Sequence, residues 1–297
     1  MKNLSPKVKI LTLLWGLGSL IAAGLSIAAT ATHFEKGSNY YTRGALPTAA
    51  LVVALLAGLC GIALAILHKP DPKQSPFYQK PIPAPAAIGF LCVLPALVIG
   101  FPAATVQLGA NGTAFNMVPV LGILAVLSLL YGILVAIPSI AKKSSSWLAF
   151  LGMCAMLTCL FLTAYYYFDI SVEMNAPLKT LLQVGLLLSM LYFTGEIRYF
   201  LGTPMPRTFL ALGTLTVSVG ALAAVAIPYA YLTGKLARID YLAGAILLLT
   251  VAITAAIRVV TLLTAEPPVE DNTTAVLPAG EDIPASPDPS DDPTDHN

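Results

Sequence analysis

Two charged side chains stand where the surrounding sequence makes charge expensive. Glu196 lies within Leu191-Tyr192-Phe193-Thr194-Gly195-Glu196-Ile197, and Arg258 within Thr254-Ala255-Ala256-Ile257-Arg258-Val259-Val260. A charge near the centre of a bilayer costs about 2.5–3.5 kcal/mol on insertion scales, so each such residue calls for a partner or for a part in moving ions or solutes. Arg198 is two residues from Glu196 and points to a different helix face, so it is not a natural intrahelical mate. Glu196 and Arg258 are therefore the candidate intramembrane charge pair. On sequence alone the plainer expectation is that Arg258 snorkels to the headgroups while Glu196 sits at the interface.

A second cluster combines aromatic and acidic residues. Tyr40, Tyr41, Tyr165, Tyr166, Tyr167, Tyr229, Tyr231 and Tyr241, eight of twelve tyrosines, fall at the expected outer ends of apolar stretches. Glu35, Asp169, Glu173 and Asp240 lie close by in sequence. Tyr40, Tyr41, Tyr166, Asp169 and Glu173 form a candidate outer vestibule for a cationic or sugar-like ligand. The plainer expectation is an aromatic belt at headgroup level.

Motifs that would specify an enzyme are missing. The chain holds no His-Glu-x-x-His, no Gly-x-Ser-x-Gly and no phosphate-binding glycine loop, and its three histidines lie in different regions. Cys60, Cys92, Cys154 and Cys159 sit inside apolar runs and read as packing residues. The expectation is no catalytic, cofactor-binding or metal-binding residue, and basic residues are too sparse for nucleic acid. Gln183, the one amide within a span, and the prolines at 95, 102, 119, 138 and 228 are weaker pathway candidates.

The elements that must position these residues are membrane helices. Charged residues make up 10% of the chain against 57% hydrophobic, with a mean hydropathy of +0.80. Eight apolar stretches, at 10–31, 46–67, 84–104, 117–140, 147–168, 179–201, 208–232 and 241–263, each suit the roughly 20 residues that a helix needs to cross a bilayer. They are apolar on every face, which excludes the alternating strands of a membrane barrel. The fold class is all-α and polytopic.

Orientation follows from the basic residues of short loops. Ten lie in the loops on the N-terminal side and five on the other, which places both termini in the cytoplasm of a plasma (inner) membrane protein. Met1–Ala31 also resembles a signal peptide, but its apolar run exceeds the usual signal core, so span 10–31 is read as retained. Ile99-Gly100-Phe101-Pro102 and Val225-Ala226-Ile227-Pro228 come into rough register when the halves are overlaid. That suggests a parallel repeat of four plus four helices, at 1–140 and 141–264, set against chance similarity among apolar helices.

Residues 265–297 carry seven prolines and nine acids with no basic residue, a composition that reads as a disordered acidic cytoplasmic tail. Two functional readings follow. The first is a carrier-like protein that binds or moves a small solute. The second is a non-transporting accessory, scaffold or sensor subunit that binds another membrane protein. A polar cavity reaching near the midplane would favour the first reading.

Overall fold

The computed structural model describes residues 5–36, 38–68, 70, 105–108, 113–116, 118–137, 146–169 and 172–264. Met1–Glu266 forms one compact unit and Pro267–Asn297 a second. The expected disordered tail falls on the second, outside the described residues, as does the expected span 84–104.

Seven helices appear among the described residues: α1 (Pro6–His33), α2 (Ala45–Leu67), α3 (Val118–Ala136), α4 (Ser146–Phe168), α5 (Pro177–Phe200), α6 (Pro206–Leu232) and α7 (Ile239–Thr264). Six of them, all but α3, are long and apolar enough to cross a membrane. The expectation of eight spans is thus met in part. A short antiparallel hairpin, β1 (Thr105–Leu108) and β2 (Thr113–Asn116), pairs Val106 with Phe115 and adds a small strand element to the helical expectation.

Local chemistry sets the helix ends. α1, α5 and α6 each start with proline, whose missing N–H costs nothing in the first turn. The Ser5 hydroxyl accepts a bond from the Val8 amide to cap α1. α5 and α6 stop at Gly202 and Gly234, with φ of +74° and +68°, a conformation that glycine adopts without Cβ strain. The following amides, Thr203 and Lys235, reach back to the Arg198 and Ala230 carbonyls at 3.0 and 2.9 Å and close both helices in Schellman fashion.

Packing runs in sequence from α3 through α4, α5 and α6 to α7, with α5 also touching α7, while α1 and α2 pair and both lie on α6. Glycines bring the backbones together: a Cβ on Gly185 would stand 3.4 Å from the Gly220 Cα, and one on Gly58 2.9 Å from Leu215. Hydroxyls and one indole stitch α1 to α6, through Trp15 Nε1 to Thr214 O at 3.2 Å, Ser19 to Ser218 at 2.9 Å and Ser26 to Leu222 O at 3.1 Å. These contacts make α1 parallel to α6, whereas α2, α5 and α7 run antiparallel to it.

The bundle has a proximal end, where α1 begins, and a distal end, where α1 finishes. Ser128 on α3 bonds Thr158 on α4 at 2.8 Å, and Tyr131 lies against Gly152, so α3 runs antiparallel to α4. α2 thus ends proximally and α3 starts distally. Leu20, Leu59, Ile66 and Trp147, between 59 and 74% exposed, look outward from the bundle. Such an apolar exterior suits a lipid surround and not water.

Candidate functional site

Near the proximal end, one carboxylate joins three helices. Tyr192 and Glu196 are one helical turn apart on α5, and the Tyr192 hydroxyl donates to Glu196 Oε1 at 2.6 Å. Tyr131 of α3 donates to the other oxygen, Oε2. Arg258 of α7 brings its Nε to 3.9 Å from Oε1. Both charged residues are 1% exposed. Arg258 does not reach the surface, and Glu196 does not sit at an exposed interface.

Packing explains why the tyrosines meet this acid. Gly152 on α4 leaves room for the Tyr131 ring, since a Cβ there would lie 3.3 Å from Tyr131 Cε2 and 3.0 Å from Ile197. Phe193 and Phe200 meet the same ring edge-on at 6.1 and 6.3 Å, and Phe209 lies 5.2 Å from the Tyr192 ring. Charge-assisted bonds from two phenols plus the guanidinium offset the desolvation of the carboxylate, as a buried charge requires. Such a cluster can hold α3, α5 and α7 together.

The distal end holds a second charge cluster. Arg238, just before α7, donates from Nε to Asp240 Oδ1 at 2.8 Å, and its Nη2 lies 3.1 Å from Asp169 Oδ2 and also meets Asp240 Oδ2. Tyr165 donates to Asp240 Oδ2 at 3.0 Å, Tyr166 to the Asp240 carbonyl at 2.7 Å and Tyr241 to Asp169 Oδ2 at 3.2 Å. The Arg238 guanidinium also lies over the Tyr241 ring, 5.4 Å from its centroid. Hydrogen bonding to Asp240 raises the arginine pKa above its ordinary value.

Two lysines complete this end. Lys235 donates to the carbonyls of Thr30, Ala31 and Phe34 at 2.8, 2.7 and 3.1 Å, a cation placed on the carbonyl end of α1. Lys179, 1% exposed, donates to the Asp169 and Val172 carbonyls at 2.6 and 2.9 Å and so ties α5 to the chain leaving α4.

The five residues of the expected vestibule separate into distinct places. Tyr40 donates to Glu173 Oε2 at 2.6 Å at the rim, and that bond raises the phenol pKa. Tyr41 bonds Thr30 at 3.1 Å in the tight connection where Phe34 bridges Tyr41. Tyr166 is fully buried against Gly244, and Asp169 belongs to the Arg238 cluster. Tyr166 is thus closed off from solvent, and the carboxylates of Asp169 and Asp240 face Arg238 of this chain.

Among the described residues no group of three or more His, Cys, Asp or Glu side chains could hold a metal ion. Cys154 and Cys159 are buried, Cys60 is half-buried and all three are free thiols. Gln183 is half-buried on α5. The described residues enclose an almost wholly apolar groove of about 540 Å³ between α1, α6 and α7, and a cavity of about 410 Å³ behind Tyr41 between α1, α2 and the start of α5.

Sequence reasoning missed Tyr131, Tyr192, Lys179, Lys235 and Arg238 as site residues. The spacing of Tyr192 four residues before Glu196 was the one local signal available. Comparison of the chain with protein-family models, with curated proteins and with solved structures finds no match.

Proposed function

We propose that this multi-pass membrane protein is carrier-like and binds or moves a small solute between its two ends, without enzymatic chemistry. One observation carries the reading: α7 is held by ionic clusters near both ends, through Arg238 and Asp240 distally and through Arg258 proximally. Asp240 and Arg258 are about 27 Å apart by helix rise, close to the roughly 30 Å of a bilayer core. Paired charges at opposite edges of one helix suit gates that open in turn while the other stays closed.

The reading places the proximal end in the cytoplasm of a plasma (inner) membrane. Its support is the ten-to-five excess of basic residues in proximal loops. Three of the five distal ones, Lys179, Lys235 and Arg238, also have their charge turned onto carbonyls or carboxylates of the chain. The lipid bilayer and a small solute are the partners this account assigns.

The test is a thiol-accessibility measurement in proteoliposomes, on a background with all four cysteines replaced. Ser189 is fully buried on α5, about 10 Å from Glu196 toward the bundle middle by helix rise. Ser189→Cys should resist a membrane-impermeant maleimide applied from the proximal side and become reactive when Glu196→Gln weakens the proximal cluster. Protection in both forms would favour a static accessory or scaffold subunit instead.

A further inference from the structure

We infer that the cavity behind Tyr41 is a binding site for a small neutral amphipathic molecule whose head is a hydroxyl, amide or carbonyl group. Its volume of about 410 Å³ falls in the range of small-molecule pockets. Tyr41 and Asn175 stand toward its distal mouth, while Ser26 and Leu222 lie at its floor. Ser26 is seven residues before the end of α1, so the cavity floor lies roughly 10 Å from that helix end by helix rise.

Charge complementarity decides the ligand class. Among the described residues no acidic or basic side chain lines this cavity. The nearby charges are engaged elsewhere: Lys179 and Lys235 on carbonyls, Asp169 with Arg238, and Glu173 with Tyr40. An ion entering the cavity would lose water and gain no countercharge, a cost a neutral molecule avoids. Burial raises the Tyr41 phenol above its ordinary pKa, so this wall stays uncharged.

The polar valences in the wall define what a head group would meet. Thr30 donates its one hydroxyl proton to the Ser26 carbonyl at 2.8 Å, so in the Tyr41–Thr30 contact it is Tyr41 that donates. The Tyr41 oxygen keeps a lone pair to accept with. Thr180 donates to the Ala176 carbonyl at 3.2 Å and likewise keeps acceptor capacity. Thr48 and Asn175 make no side-chain hydrogen bond among the described residues and offer donors. Leu51, Leu181 and Leu222 supply an apolar wall for the remainder of the molecule.

Calling the occupant a solute to be moved rests on the carrier reading, whereas binding is read by labelling alone and can stand or fall separately. The experiment is photolabelling by 3-azioctanol of the full chain in phosphatidylcholine nanodiscs, with adducts mapped by mass spectrometry. Labelling should saturate, concentrate on Tyr41 and the 175–181 segment, and fall at least fivefold in Thr48→Trp, which fills the cavity from an exposed position. Octanol should compete at least tenfold better than octanoate or octylammonium. Dioctanoylglycerol carries the same hydroxyl on a two-chain lipid body and should compete at least tenfold less well than octanol. Non-saturable labelling spread over lipid-facing helices, or equal competition by the charged compounds, would overturn the site. Equal competition by dioctanoylglycerol would overturn its assignment to a free solute.

Discussion

Arg258 on α7 lies 3.9 Å from Glu196 on α5, with both side chains 2% exposed. Two phenols from α3 and α5 complete the carboxylate's surroundings. Removing one member of such a buried pair strands the other, at a cost of about 3–5 kcal/mol, whereas replacing both by apolar residues costs much less.

Arg258→Leu alone should therefore lower the detergent melting temperature sharply, and adding Glu196→Leu should recover most of the loss. The check is a double-mutant cycle by thermal unfolding. Additive losses in the double variant would mean that the two charges do not act on one another.

Tyr131 is the polar tie between α3 and the acid on α5. Tyr131→Phe keeps the ring between Phe193 and Phe200 and deletes only the hydroxyl, so it should cost about 1.5–3 kcal/mol, the range for a hydrogen bond to a charged group. In a Glu196→Gln background the same change should cost less than half as much. Equal cost in both backgrounds would place the phenol's contribution elsewhere.

Lys235 satisfies three carbonyls at the end of α1. Lys235→Met retains much of the stem and removes the donors, so hydrogen exchange should rise at the last turn of α1 and in the connection to α2, with the proximal end unchanged. Uniform loosening of the whole bundle would show that the ammonium does more than cap one helix.

Gly61 is a close approach of α2 to α6, where a Cβ would overlap the Thr214 side chain. Gly61→Ala should destabilise by about 1–3 kcal/mol through overpacking. Thr214→Ala should relieve part of that loss, and failure of the rescue would argue against a steric origin.

The helices were legible because membrane spans need long apolar runs, and the boundaries agree closely: 46–67 was expected where α2 is Ala45–Leu67, and 147–168 where α4 is Ser146–Phe168. The proximal charges drew notice for the same reason, since Glu196 and Arg258 are costly wherever they stand. Their phenol partners did not, because Tyr131 looks like any aromatic residue in an apolar helix until a neighbour brings an acid to it. The pairing of the distal acids with Arg238 was not legible in the sequence. Arg238 and Asp240 are two apart, a spacing that separates side chains on a helix, but Arg238 precedes α7 and its guanidinium folds onto Asp240. Lys179 and Lys235 counted in sequence as ordinary loop charges, and only the bundle's ends reveal the carbonyls they meet. The overlay of halves likewise carried no information that α1 and α2 pack on α6.

The most direct test of two alternately opening ends is electron–electron distance measurement on spin labels at both ends, in nanodiscs. Labels at Ile137 and Val260 report the proximal end, and labels at Tyr167 and Leu232 the distal end, all at exposed positions. The account predicts that Glu196→Gln broadens and lengthens the proximal distances while the distal ones hold or shorten. Unchanged distributions at both ends, in a variant that remains folded, would contradict it.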